Sequence, residues 1–169
     1  MDLNHIELPA STLAELYRSS LVIPAGKESQ DLTQQTPVPA KPKWLGNNKK
    51  NMLILVSHAN AIHLPDGDLD LLTSILTACK LSLEDVAILN IHPHPAFDYK
   101  QAQQLTKPAQ MLLFGVEPSS IGLPLSFPHF QIQPFQQTSY LYSPALSQIG
   151  MDRSLKTSLW QSLKLLFNL

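Results

Sequence analysis

His92 and His94 stand two apart in the run HPHP. On an extended segment an H-x-H pair points both imidazoles the same way, which is a workable metal geometry if a third ligand arrives. His58, His63 and Asp66, in the stretch SHANAIHLPD, are the candidates for that ligand. Without one, the prolines simply stiffen an exposed loop. Other reactive chemistry is thin. Gly115 ends an apolar run within FGVEPSSIGLP, which carries neither the Gly-x-Gly-x-x-Gly fingerprint nor a Gly-Lys-Ser/Thr phosphate loop. Ser119 and Ser120 lack the context of a nucleophile elbow. Glu117 is the one acid directly after an apolar run and reads as a loop residue. The single cysteine, Cys79, recurs in step with leucines and reads as a small buried hydrophobe, so no disulfide framework or cysteine zinc site is expected within one chain. No cofactor is expected.

These residues must be held by the elements around them. Met52–Ser57 is a short, nearly continuous apolar run, as a strand covered on both faces requires. A loop, Ser57–Pro65, follows it, and a helix is predicted over Asp68–Leu81, with Leu69, Leu72, Leu76 and Cys79 on one face. Asp66, Asp68 and Asp70 near its start and Lys80 near its end suit the helix dipole. A second strand, Val86–Ile91, follows the turn Ser82–Asp85. After the loop His92–Phe97 come a short helix with polar faces, Asp98–Leu105, and a third strand, Met111–Gly115. Residues 116–138 are expected to be irregular, because Pro118, Pro124, Pro128 and Pro134 forbid a long helix. A fourth strand is expected at Ser139–Ser143, and Asp152 is positioned to cap a last helix, Arg153–Phe167, with Leu155, Leu159, Leu163 and Leu166 in a stripe. Strands alternating with helices predict an α/β domain, a three-layer sandwich around a mostly parallel four-stranded sheet with helices on both faces.

Composition narrows the classes further. The chain has 169 residues, 44% of them hydrophobic, enough for one domain with an extension. Only 15% are charged, against roughly 25% in ordinary soluble domains. That sparse charge hints at a surface covered by a partner. The net charge of −1 argues against an unassisted nucleic-acid binder, so any nucleic-acid contact is expected to be indirect. No apolar run approaches the roughly 20 residues of a membrane span, and MDLNHIELPA lacks a signal peptide's apolar core. The expected location is the cytoplasm, without membrane attachment. Three regions follow: 1–24, 25–50 and 51–169. In the first, Thr12 and Glu15 form a capping box before Leu13, Leu16 and Tyr17, and SLVIP, with Leu21, is extended. This short segment either docks on its own domain or folds on a partner. Residues 25–50 form a Pro/Gln/Lys-rich linker. Trp44 and Leu45 are placed to anchor its end, or Trp44 to anchor a partner.

The run SYLYSPALSQIGMDRSLKTSLW, 139–160, resembles the psi subunit family of bacterial DNA polymerase III. That family has a Ser-Pro-Ala-Leu segment, here Ser143–Leu146, followed by a helix with a Leu-Trp pair, here Leu159–Trp160. The same run resembles the uracil-DNA glycosylase superfamily, whose second motif, His-Pro-Ser-Pro-Leu-Ser, follows the last strand. MLILVSHAN, LEDVAILNI and MLLFG fit that order over about residues 50–167. The resemblance implies a glycosylase-like fold. It also implies a relic pocket of Ser57, His58, Asn60, Ser143 and Pro144. A glycosylase needs an acid or another water-positioning group after the first strand and a histidine in the second motif. Here the loop reads Ser57-His58-Ala59-Asn60, and Tyr142-Ser143 replaces the histidine. The resemblance therefore implies a non-catalytic accessory subunit with no catalytic residues. Such a subunit would bridge the clamp loader, through Leu13, Leu16, Tyr17, Leu21 and Trp44, to a chi-like protein. The alternatives are an active or relic uracil glycosylase and a metal-dependent enzyme using the HPHP loop.

Overall fold

A computed structural model describes residues 42–169 of the protein. Leu13, Leu16, Tyr17 and Leu21, and the division of the first 41 residues into segment and linker, lie outside the described residues.

Strands β1 (Met52–Val56), β2 (Val86–Asn90), β3 (Gln110–Phe114), β4 (Ile132–Phe135) and β5 (Thr138–Ser143) form one sheet in the order β2-β1-β3-β5-β4. All pairs are parallel except β4–β5. Helices α1 (Asp66–Ala78), α2 (Tyr99–Thr106), α3 (Leu146–Met151) and α4 (Arg153–Phe167), with a 3-10 turn at Pro118–Ile121, complete the described elements.

The two-residue period of a strand divides each apolar run between two cores. Met52, Ile54, Val56, Ile88 and Leu112 face α1, α3 and α4, meeting Leu72, Leu76, Ile149, Leu159 and Leu163. Leu53, Leu55, Leu89, Met111 and Leu113 face the other way, onto Tyr99 and Ala102 of α2 and onto Ile121, Leu123 and Phe127. This double burial explains why β1 and β2 read as unbroken apolar stretches. Helices on both faces and a mostly parallel sheet agree with the sequence expectation.

Three expectations change. The sheet has five strands, because Ile132–Phe135 pairs antiparallel with β5 inside the stretch expected to be irregular. Pro134 sits in that strand, which is tolerable at an edge, where no ladder hydrogen bond needs its missing N–H. The six-residue helix α3 was not expected; so short a helix with a glycine in it has weak local signals. The helix at 99–106 is not polar on all faces, since it buries Tyr99, Ala102 and Thr106.

Helix ends follow side-chain chemistry. The Asp152 carboxylate accepts from Ser154 N at 2.7 Å and Leu155 N at 3.4 Å, so α4 starts where its cap requires. Such a cap is worth about 1 kcal/mol. Asp98 caps α2 likewise, accepting from Gln101 N at 2.7 Å. Helix α1 begins at Asp66 and ends at Ala78, earlier at both ends than its periodicity suggested. Lys80 turns to φ +58°, its N–H reaching Thr77 O, while Leu81 N reaches Leu76 O. These paired bonds satisfy the last carbonyls in a Schellman arrangement. Cys79 is buried beside this turn, and burial pushes its thiol up.

Ahead of β1, the chain clips onto the edge of β2. Leu45 and Ile88 exchange both backbone hydrogen bonds at 2.8 Å. Asn48, Lys49 and Lys50 donate to the carbonyls of Val86, Glu84 and Asp85, and the Lys49 ammonium pairs with Glu84. Leu45 thus anchors this end of the chain, whereas Trp44 remains 37% exposed. Among the described residues no helix is long and apolar enough to cross a membrane.

Candidate functional site

Parallel strands direct their carboxyl ends to one edge of the sheet, and in open α/β sheets ligands bind there. In this chain that edge is built around Asn90, the last residue of β2 and only 2% exposed. Its Oδ1 accepts from the backbone N–H groups of His58 (3.0 Å) and His92 (3.1 Å). Its Nδ2 donates to the carbonyls of His58 (2.8 Å) and Ala61 (2.7 Å). One buried amide therefore ties the loop after β1 to the loop after β2. A second tie is lateral: His58 Nε2 lies 3.5 Å from the Asp68 carboxylate on α1.

Two concavities result, with the HPHP loop as their shared wall. The first is a cavity of about 580 Å³ whose lining includes Lys43, His58, Asn60, Asn90, His92 and His94. The second, of about 450 Å³, lies between the loops after β1 and β3, where the chain reverses its direction of growth across the sheet. Its lining includes Ser57, His92, His94, Phe97, Glu117 and Ser120. Glu117 stands in the loop after β3, as read from the sequence, and lines this second groove. It shares a groove with two imidazoles, an acid and base set of the kind a hydrolytic site uses.

The five residues grouped as a relic pocket are not brought together. His58 and Asn60 line the first cavity, Ser57 lines the second, and Ser143 and Pro144 line neither. Strand β3 lies between β1 and β5, and Ser143 at the end of β5 is turned into the protein. Ser143 is 1% exposed, and its carbonyl accepts from Gly115 N at 2.9 Å. Gly115, at φ +65°, lies so close to Ala145 that an added Cβ would stand 3.0 Å from the alanine Cβ. The half-buried Tyr142 packs against the His129 ring, with centroids 4.3 Å apart, and meets Phe127 edge-on.

Of the possible third metal ligands, only His58 shares a cavity with His92 and His94. His63 and Asp66 line neither concavity, and among the described residues no three His, Cys, Asp or Glu side chains are gathered closely enough to hold a metal ion.

Asn90, Glu117 and Lys43 were not singled out from sequence as members of a site. For Asn90 a signal existed: an amide closing the apolar run VAILN must be buried, and a buried amide needs partners. For Glu117 and Lys43 the signal lies only in the strand order. No family model and no curated protein matches the chain.

Proposed function

We propose that the protein is a non-catalytic accessory subunit of DNA replication, psi-like in role, built on a uracil-DNA glycosylase-like scaffold. Its role is to bridge the clamp loader and a chi-like protein. The observation that carries this reading is the burial of Ser143 where the second-motif histidine's neighbour would stand. Gly115 packs on Ala145, and the half-buried Tyr142 is flanked by the rings of Phe127 and His129. A glycosylase needs the corner after β5 open, with a cationic or hydrogen-bonding group facing the departing base. The mostly parallel sheet with helices on both faces also supports the scaffold, although many functions share such architectures. In this reading Leu13, Leu16, Tyr17 and Leu21 contact the clamp loader, and Trp44 extends that contact.

A second reading rests on a specific observation. Glu117, His92 and His94 line one groove. There a carboxylate could activate water while an imidazole supports a leaving group, so a glycosidic or related hydrolysis is the rival function.

Capture of the tagged full-length chain from native lysate tests the first reading. Clamp-loader subunits should be recovered by the unaltered protein and lost with the combined Leu13→Ala, Leu16→Ala, Tyr17→Ala and Leu21→Ala variant. Recovery of no replication protein, or equal recovery by the variant, would overturn it.

A further inference from the structure

We propose that the cavity between the loops after β1 and β2 docks a short acidic segment, punctuated by apolar residues, from a partner polypeptide. This rests on the reading of the chain as a protein-binding platform and gives that platform a defined address. Lys43 is the one charged side chain among the described residues lining the cavity, and the imidazoles of His58, His92 and His94 line it beside Lys43. Among the described residues no aspartate or glutamate lines it. The nearest counter-charges are already engaged or stand outside. Asp68 faces His58 at 3.5 Å, and Glu117 lines the neighbouring groove. The complementary occupant is therefore anionic.

It is also apolar in part. Ile62, on the cavity's rim, is 83% exposed, and Trp44, beside Lys43, is 37% exposed. Large exposed side chains of this kind, next to a concavity, serve as anchors at protein interfaces. Asn90 fixes both loops in advance, so the occupant meets a surface whose ordering cost is already met. Nucleic acid is the poorer occupant. With 12 Lys and Arg against 13 Asp and Glu, the chain has no net excess of positive charge to attract backbone phosphates. A short peptide needs only a few charges and one or two anchors.

Fluorescence anisotropy with the full-length protein tests this, using a labelled peptide of alternating aspartate and leucine. A matched lysine and leucine peptide and labelled oligothymidylate serve as competing probes. The acidic peptide should bind, with affinity falling as salt rises. The Lys43→Glu/His92→Glu pair and Ile62→Asp should each weaken it by about tenfold or more, the equivalent of one lost anchor or charge contact. These three positions are on the surface, and circular dichroism verifies that the variants fold. The proposal is overturned if the acidic peptide fails to bind, if its affinity ignores both variants, or if oligothymidylate takes the cavity in its place. Failure here with clamp-loader subunits still captured removes the address and leaves the bridging role. Binding here with no replication subunit captured upholds the address and removes the role.

Discussion

Replacing Asn90 with leucine should cost the fold on the order of 3–5 kcal/mol, because several buried polar groups would lose their only side-chain partner at once. The Asn90 amide satisfies two N–H groups and two carbonyls across the loops after β1 and β2. Leucine keeps the volume and removes all four bonds. Each backbone group left buried costs about 1–3 kcal/mol, reduced where loop movement lets water in. Asn90→Asp should be nearly as damaging. Its carboxylate can still accept from His58 and His92, but it faces the carbonyls of His58 and Ala61 with no donor. Urea unfolding midpoints measure the loss. Hydrogen exchange at the His58 and His92 amides locates it, and both should exchange quickly in the variants. A loss below about 1 kcal/mol, within the worth of a single ordinary hydrogen bond, would mean that the two loops hold their places without the amide.

The second large effect is expected at Gly46. This residue sits at φ +101°, and a Cβ built there would lie 2.2 Å from Val86 O and 2.4 Å from Leu83 O. Those obstacles are backbone, so no side chain can swing away. Gly46→Ala must shift residues 45–50 off the edge of β2. That would strain or break the paired bonds of Leu45 with Ile88 and those of Asn48 with Val86. Backbone strain of about 1–3 kcal/mol and the lost edge bonds together give an expected destabilisation of about 3 kcal/mol. Gly67 supplies the opposite sign. It lies in the first turn of α1 with no atom near its missing Cβ, so Gly67→Ala should stabilise by about 0.5–1 kcal/mol. Thermal melts of the two alanine variants should move in opposite directions. A neutral Gly46→Ala would mean that the clip on β2 contributes little.

Both cases mark the limit of what sequence could reveal. Strands β1, β2 and β3 were legible because each is buried on two faces and so carries a nearly continuous apolar run, whereas β5, TSYLYS, was legible from its Tyr-Leu-Tyr centre. Helix α4 was legible to the residue, since Asp152 and a leucine stripe specify its start and its face. Strand β4 was not. It is short, at an edge, half exposed and contains Pro134, so its signals match those of a loop. The candidate site was legible as a set of loops but not as a constellation. His58, Asn60, His92 and His94 were visible as residue types. That Glu117 would line a groove with His92 and His94, while Ser143 would be buried, depends on the order of the strands. Crossovers decide that order, and their chemistry is not local. Gly46 looked like any linker glycine for a similar reason: the carbonyls that exclude a Cβ belong to residues about 40 positions onward.

The central claim is that this scaffold grips other polypeptides and does not act on a base. The most direct measurement is release of uracil from single-stranded DNA by the full-length protein. The expected result is no release above the protein-free control, for the unaltered chain and for Glu117→Gln and Asn60→Ala alike. Steady turnover by the unaltered chain that disappears in Glu117→Gln or Asn60→Ala would contradict it, and would assign the groove beside the HPHP loop to catalysis.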